Sequence, residues 1–232
     1  MSAPAVPMQA HPPTSTGLDH RKVAIWAFIG SECMLFVSLI STYLVYKGRS
    51  VVGPFPHEWW CPSSKTMGFC AGASAAAPGM SMKPILNIPV TSASTFVLLM
   101  SSLFMVLALE AVENKGKPAY ANSIRGNSSF WLMATAIAGA IFLGFQAFEF
   151  TSFVHEGLSI RTNLFGSSFF TLTGFHGAHV TAGVIWLLTL LSIDYKRGLG
   201  PKDELIVDIA ALYWHFVDVV WIAIFTLVYL IK

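Results

Sequence analysis

Charge is what this sequence has least of. Only 11% of its 232 residues are Asp, Glu, Lys or Arg, and 54% are apolar; an average soluble domain carries roughly 25% charged residues. A soluble fold needs a polar skin that this chain cannot make, so lipid is the natural solvent for its surface. A net charge of +2 gives no ground for a nucleic-acid partner. The start of the chain lacks the basic, apolar and small-residue pattern of a removable signal peptide, so none is expected. Strand-like alternation does not recur either, which excludes a membrane β-barrel. The three cysteines do not fall at zinc spacing.

What is present is five apolar stretches, approximately Val23–Tyr46, Ile88–Glu110, Phe130–Thr151, Gly166–Ile193 and Ile206–Ile231. Each is long enough to cross a hydrocarbon layer of about 30 Å, which takes roughly 20 helical residues. Backbone groups in lipid must pair within their own segment, so the spans are helices. The fold class is therefore an all-α membrane protein, a five-transmembrane-helix bundle. Residues 1–20, rich in Pro and small residues, read as a solvent-facing disordered tail, and 21–232 as one membrane domain. The longest connection, about 47–87, falls outside the membrane.

Five spans put the termini on opposite sides. Arg21, Lys22, Lys115, Lys117, Arg125, Lys196, Arg197 and Lys202 share one side; Lys47, Arg49, Lys65, Lys83, Arg161 and Lys232 share the other. That bias favours a cytoplasmic N-terminus and a C-terminus outside.

Ionisable residues inside the spans carry the most information. Glu32 lies near mid-depth of the first span, where an acidic residue costs roughly 2.5–3.5 kcal/mol of insertion free energy. The apolar residues around it still drive the helix in, so the carboxyl must find a polar partner or hold a proton. In the last span Glu204, Asp208, Ala211, His215 and Asp218 fall within an arc of about 80°, a stripe suited to other helices or a second subunit. The third span places Thr135, Gly139, Phe142, Gln146 and Glu149 on one face. In the fourth, His176 and His179 share one side, and Gly174, Ala178 and Ala182 form a small-residue ridge roughly opposite, fit for close helix contact.

Three readings of these residues compete. Glu149, His176, His179, His215 and Asp218 could gather an iron or zinc ion. They could instead be hydrogen-bonded links between helices. Mid-depth acids also mark ion paths in transporters, although no internal repeat is visible. No Glu-x-x-His pattern of the di-iron kind recurs. The lesser signals read as structural. Cys33 is expected to be a packed thiol, and Cys61 and Cys70 a candidate disulfide if their loop faces an oxidising compartment. Trp26, Tyr43, Tyr46, Trp131, Tyr213, Trp214 and Tyr229 read as interfacial anchors. Met100, Met105 and Met133 read as packing residues, and His155 and Glu156 as solvated.

Four runs then resemble one family. Thr173-Gly174-Phe175-His176-Gly177-Ala178-His179-Val180 resembles the Thr-Gly-Phe-His-Gly-x-His-Val signature of subunit III of the haem–copper oxidases. Tyr213-Trp214-His215-Phe216-Val217-Asp218-Val219-Val220-Trp221 is similar to that family's last-helix signature. Ser31-Glu32 and Gln146-Ala147-Phe148-Glu149 resemble its Ser-Glu and Gln-Ala-x-Glu. The resemblance runs in order over most of residues 20–232.

It implies a non-catalytic subunit of a proton-pumping terminal respiratory oxidase that takes electrons from cytochrome c and reduces oxygen to water. Quinol oxidase subunit III and the accessory protein of nitric oxide reductase are the alternatives. By the same resemblance this chain binds no metal; haem and copper lie in partner subunits, and phospholipid is bound. Subunit I is the direct partner, with subunit II and a small subunit IV in the complex, in the inner or plasma membrane of a prokaryote. Glu32 matches the family's buried carboxylate beside the lipid cleft, while Gln146, Glu149, His176, His179, Asp208, His215 and Asp218 would form a structural polar network. Lys196 or Arg197 would meet a lipid headgroup. Many members have seven helices, and this chain lacks the first two. Asp208 stands where the family usually has Glu.

Overall fold

The computed structural model describes residues 19–47, 86–120 and 123–231, with the backbone of 59–60 and 81–82. Cys61, Cys70 and most of both the N-terminal tail and the long loop lie outside the described residues. Five helices are long and apolar enough to cross a membrane. They are α1 (His20–Tyr46), α2 (Ile88–Glu113), α3 (Ser128–His155), α4 (Leu164–Arg197) and α5 (Glu204–Phe225), the last continued by a π turn over Thr226–Leu230. Within the long loop Trp59–Trp60 pairs antiparallel with Ser81–Met82.

Helix ends follow local chemistry. The Asp19 carboxylate caps α1 by accepting from the Arg21 N–H at 2.8 Å. Pro89 opens α2, where a missing N–H costs nothing. Asn127 and Asn163 cap α3 and α4 through Phe130 N and Gly166 N. At the far end of α4, Gly198 takes φ +72°, the left-handed turn that stops the helix. With 34 residues α4 extends well beyond the expected Gly166–Ile193.

The helices form a ring in which α1 packs on α4 and α5, α2 on α3 and α5, and α3 on α4. Helix α5 bridges α1 and α2 and also reaches α4. Its two large side chains fill the interior. The Trp214 ring lies where a Cβ on Gly139 or Gly183 would come within 2.6 or 2.8 Å of it, so both positions must be bare. Its Nε1–H donates to Ser101 Oγ at 2.9 Å, and Trp221 Nε1–H donates to Thr95 Oγ1 at 2.9 Å. Two indoles are thus struts from α5 to hydroxyls of α2.

Several sequence expectations are corrected here. Tyr43, Tyr213, Trp214 and Tyr229 are buried core residues rather than interfacial anchors, because inward-facing ridges of α1 and α5 carry them; Trp26 and Tyr46 are exposed. The ridge of Gly174, Ala178 and Ala182 packs on nothing: Ala178 and Ala182 are exposed, and no atom approaches the Cβ position of Gly174. Close contacts of α4 are made instead by Gly177 and Gly183. Cys33 is exposed on α1, not packed. Met105 is fully buried, whereas Met133 is exposed.

Candidate functional site

The mid-depth carboxyl of α1 meets α4. Glu32 Oε2 lies 3.0 Å from His179 Nε2, with both side chains less than a fifth exposed. The other ring nitrogen, Nδ1, sits 2.8 Å from the Phe175 carbonyl oxygen. A carbonyl only accepts, so Nδ1 carries its proton. The contact between Nε2 and the carboxyl then needs a second proton, on one atom or the other. The Glu32–His179 pair is therefore electrically neutral as a unit, which is how it tolerates mid-membrane depth. Phe36 covers His179 at 5.1 Å, and Tyr213 O–H donates to the His179 carbonyl at 3.0 Å.

One turn away His176 has a different fate. It is fully buried, and neither ring nitrogen has a hydrogen-bond partner. It stacks on Trp221 at 4.9 Å and meets the edges of Phe142 at 5.8 Å and Phe36 at 6.5 Å. Here the expectation of a shared polar network is corrected: His176 packs as an aromatic ring.

The remaining polar residues make separate links. Gln146 Nε2 donates to the Thr173 carbonyl at 2.7 Å, joining α3 to α4. Glu149 accepts from Thr91 Oγ1, with the Tyr229 hydroxyl beside it, joining α3, α2 and the end of α5. Glu149 also lines a cavity of about 320 Å³ with Asn87, Phe148, Ser152 and Glu156. Asp208 pairs with Lys22 of α1 at 2.7 Å. His215 Nδ1 meets Ser102 Oγ at 2.8 Å, and the same hydroxyl donates to Asp218. The α5 stripe thus divides between two neighbours, its N-terminal end on α1 and its middle on α2, while Glu204 is exposed. Among the described residues, no three His, Cys, Asp or Glu side chains converge as metal ligands would.

At the α4–α5 turn Arg197 is held by Asp203, with N–O distances of 2.8 and 3.3 Å, and Lys196 is exposed. Arg197 shares a depression of about 360 Å³ with Lys115, Lys202 and Asp203. Beside it lies a hub that sequence reasoning missed. Buried Asp194 accepts from Ser128 Oγ at 2.7 Å, Ser129 Oγ at 2.6 Å and Leu199 N at 2.7 Å, with Lys115 Nζ at 3.6 Å. One carboxylate near the end of α4 ties down the start of α3, the end of α2 and the following turn. The available signal was an acid in the last turn of a span, where the helix dipole disfavours it unless donors surround it.

With this geometry in place, comparison with known proteins gives the family. The sequence matches the family model of cytochrome c oxidase subunit III over residues 13–232. The chain belongs to the cytochrome c oxidase subunit III family. It is 36% identical over 208 residues to cytochrome c oxidase subunit 3 of Bacillus sp. (strain PS3), covering 90% of this chain and 84% of that one. It is 35% identical over 208 residues to quinol oxidase subunit 3 of Bacillus subtilis (strain 168), with 90% and 85% covered. A third relative, cytochrome bo(3) ubiquinol oxidase subunit 3 of Pseudomonas aeruginosa, is 33% identical over 205 residues, with 88% and 82% covered. Family membership makes the chain a multi-pass membrane subunit of a multi-subunit terminal oxidase complex.

Proposed function

We propose that the chain is the non-catalytic third subunit of a proton-pumping oxidase, docked on the catalytic subunit I, with electrons drawn from cytochrome c. In this reading haem and copper belong to partner subunits, the complex also contains subunit II and a small subunit IV, and the N-terminus is cytoplasmic. The chain stabilises subunit I, holds phospholipid beside Glu32 and supports proton uptake over many turnovers. The neutral Glu32–His179 pair carries the reading. It is mostly covered, with both side chains less than a fifth exposed, and it lies on the helix with least packing in its own chain, which supports a contact with lipid or a partner rather than with a substrate.

The test is Glu32→Ala in the assembled complex. Haem content should match wild type, while lipid retained through purification, or the number of turnovers before inactivation, changes. Loss of haem on that substitution would count against the reading. The relatives named quinol oxidase subunit 3 favour a second reading for the donor. Oxygen consumption by the purified complex, assayed with reduced cytochrome c and separately with a quinol, decides between them.

A further inference from the structure

The α2–α5 seam holds a polar trio at the middle of the membrane. His215 stands about 16 Å along α5 from Glu204, at 1.5 Å per residue, and Ser102 lies near the midpoint of α2. Ser102 Oγ lies within hydrogen-bond reach of both Asp218 Oδ2 and His215 Nδ1. That leaves Nε2, the other polar atom of the ring, and no group in the described residues meets it. Asp218 is buried, and its Oδ1 has no partner either. His215 itself is only half-buried, and nearby positions on the two helices are apolar and bare: Val219, one turn on along α5, is 63% exposed, and Leu103, the sequence neighbour of Ser102 on α2, is 49% exposed.

An unpaired polar nitrogen facing hydrocarbon costs free energy that lipid tails cannot return. The hydrocarbon core offers no water to pair with it, and no side chain among the described residues closes the site. Helix α5 packs on both α1 and α2, and the partly open His215 lies on the α2 side of it. We infer that the α2–α5 face is a docking surface for a transmembrane helix of another chain of the oxidase, one that brings a hydrogen-bonding side chain (a hydroxyl or an amide) to His215 Nε2. This rests on the chain acting as a docked subunit and adds the face and the atom by which it docks.

Two measurements on the assembled complex test it. In the first, His215→Leu and His215→Gln are compared for co-purification with the rest of the oxidase. Leu suits lipid better than His does, so a lipid-facing site would tolerate it. A docking site should lose the chain from the complex by tenfold or more, while Gln, whose amide puts both an acceptor and a donor near the Nε2 position, keeps it. In the second, p-benzoylphenylalanine at Val219 or Leu103, with His215 intact, should crosslink to another membrane polypeptide on irradiation. The inference falls if folded His215→Leu co-purifies like wild type, or if both probes capture only lipid. Because the second test keeps His215, it decides even where the Leu variant misfolds. A probe at Ile185 on α4 separates the failures. Protein crosslinks from Ile185 but not from Val219 overturn the face alone; no crosslink from any position, in a chain that also fails to co-purify, overturns the docked role as well.

Discussion

Helices α1 and α5 are similarly apolar, with mean hydropathies of 2.0 and 1.8, yet they live in different surroundings. Within an 18-residue stretch of each, 56% of the α5 span is buried and only 11% of α1. Helix α5 turns two indoles, a phenol and an acid inward; α1 turns in little beyond Ile25, Phe36 and Tyr43. Hydropathy therefore says that a helix enters the membrane and nothing about what it touches there. The lesson is that packing in lipid is decided by shape and by polar pairing, since tails and aliphatic side chains are equally apolar.

The sharpest break of that comparison is Trp221→Ala. Removing this buried indole, its hydrogen bond to Thr95 and its stack on His176 should destabilise the bundle by about 3–5 kcal/mol. Met34→Ala on the exposed side of α1 should change stability by less than about 0.5 kcal/mol. Denaturant unfolding in detergent micelles measures both, and equal losses would erase the distinction between the two helices.

Next in size is Asp194→Ala, which strips the hub of its acceptor and leaves three donors and Lys115 unanswered. A loss of about 2–3 kcal/mol is expected, with faster amide exchange at the start of α3 as the local readout. A double-mutant cycle on Glu32 and His179 comes third. Hydrogen bonds between membrane helices couple by about 0.6 kcal/mol on average and up to about 1.7 kcal/mol; a coupling of zero would mean that α1 is not held by this pair.

The smallest effect concerns the start of α1. The Arg21 backbone N–H that donates to Asp19 holds this carboxyl below its ordinary 3.8. A depressed acid contributes stability that is present above the unfolded value and is lost as pH falls through the folded one. Fraying of residues 19–22 should therefore increase only below about pH 4, and Asp19→Ala should remove that pH dependence from amide exchange there.

The five spans, their helical state and the family were legible in the linear chain, because hydrophobic length and the four short motifs are local properties. Some of the site was legible as well. Glu32 required a polar partner on grounds of cost alone, and the buried face of α3 from Thr135 to Glu149 followed from helical spacing. The partners did not follow. Nothing local distinguishes His179, which meets Glu32, from His176, which stacks on Trp221. The ridge of Gly174, Ala178 and Ala182 obeys the small-residue pattern yet stays bare, while Gly139 and Gly183, which make no such ridge, receive the Trp214 ring.

Read alone, the order of residues determined that this chain enters a membrane five times and belongs with the third subunits of terminal oxidases. Burying an apolar run in lipid depends on its composition, and composition is carried along the chain. Only the tertiary structure decided which acid meets which imidazole, that Asp194 is a hub, and that His215 is left with an open nitrogen at mid-depth. Those outcomes depend on how helices rotate and approach one another, and rotation is set by contacts between residues far apart in sequence.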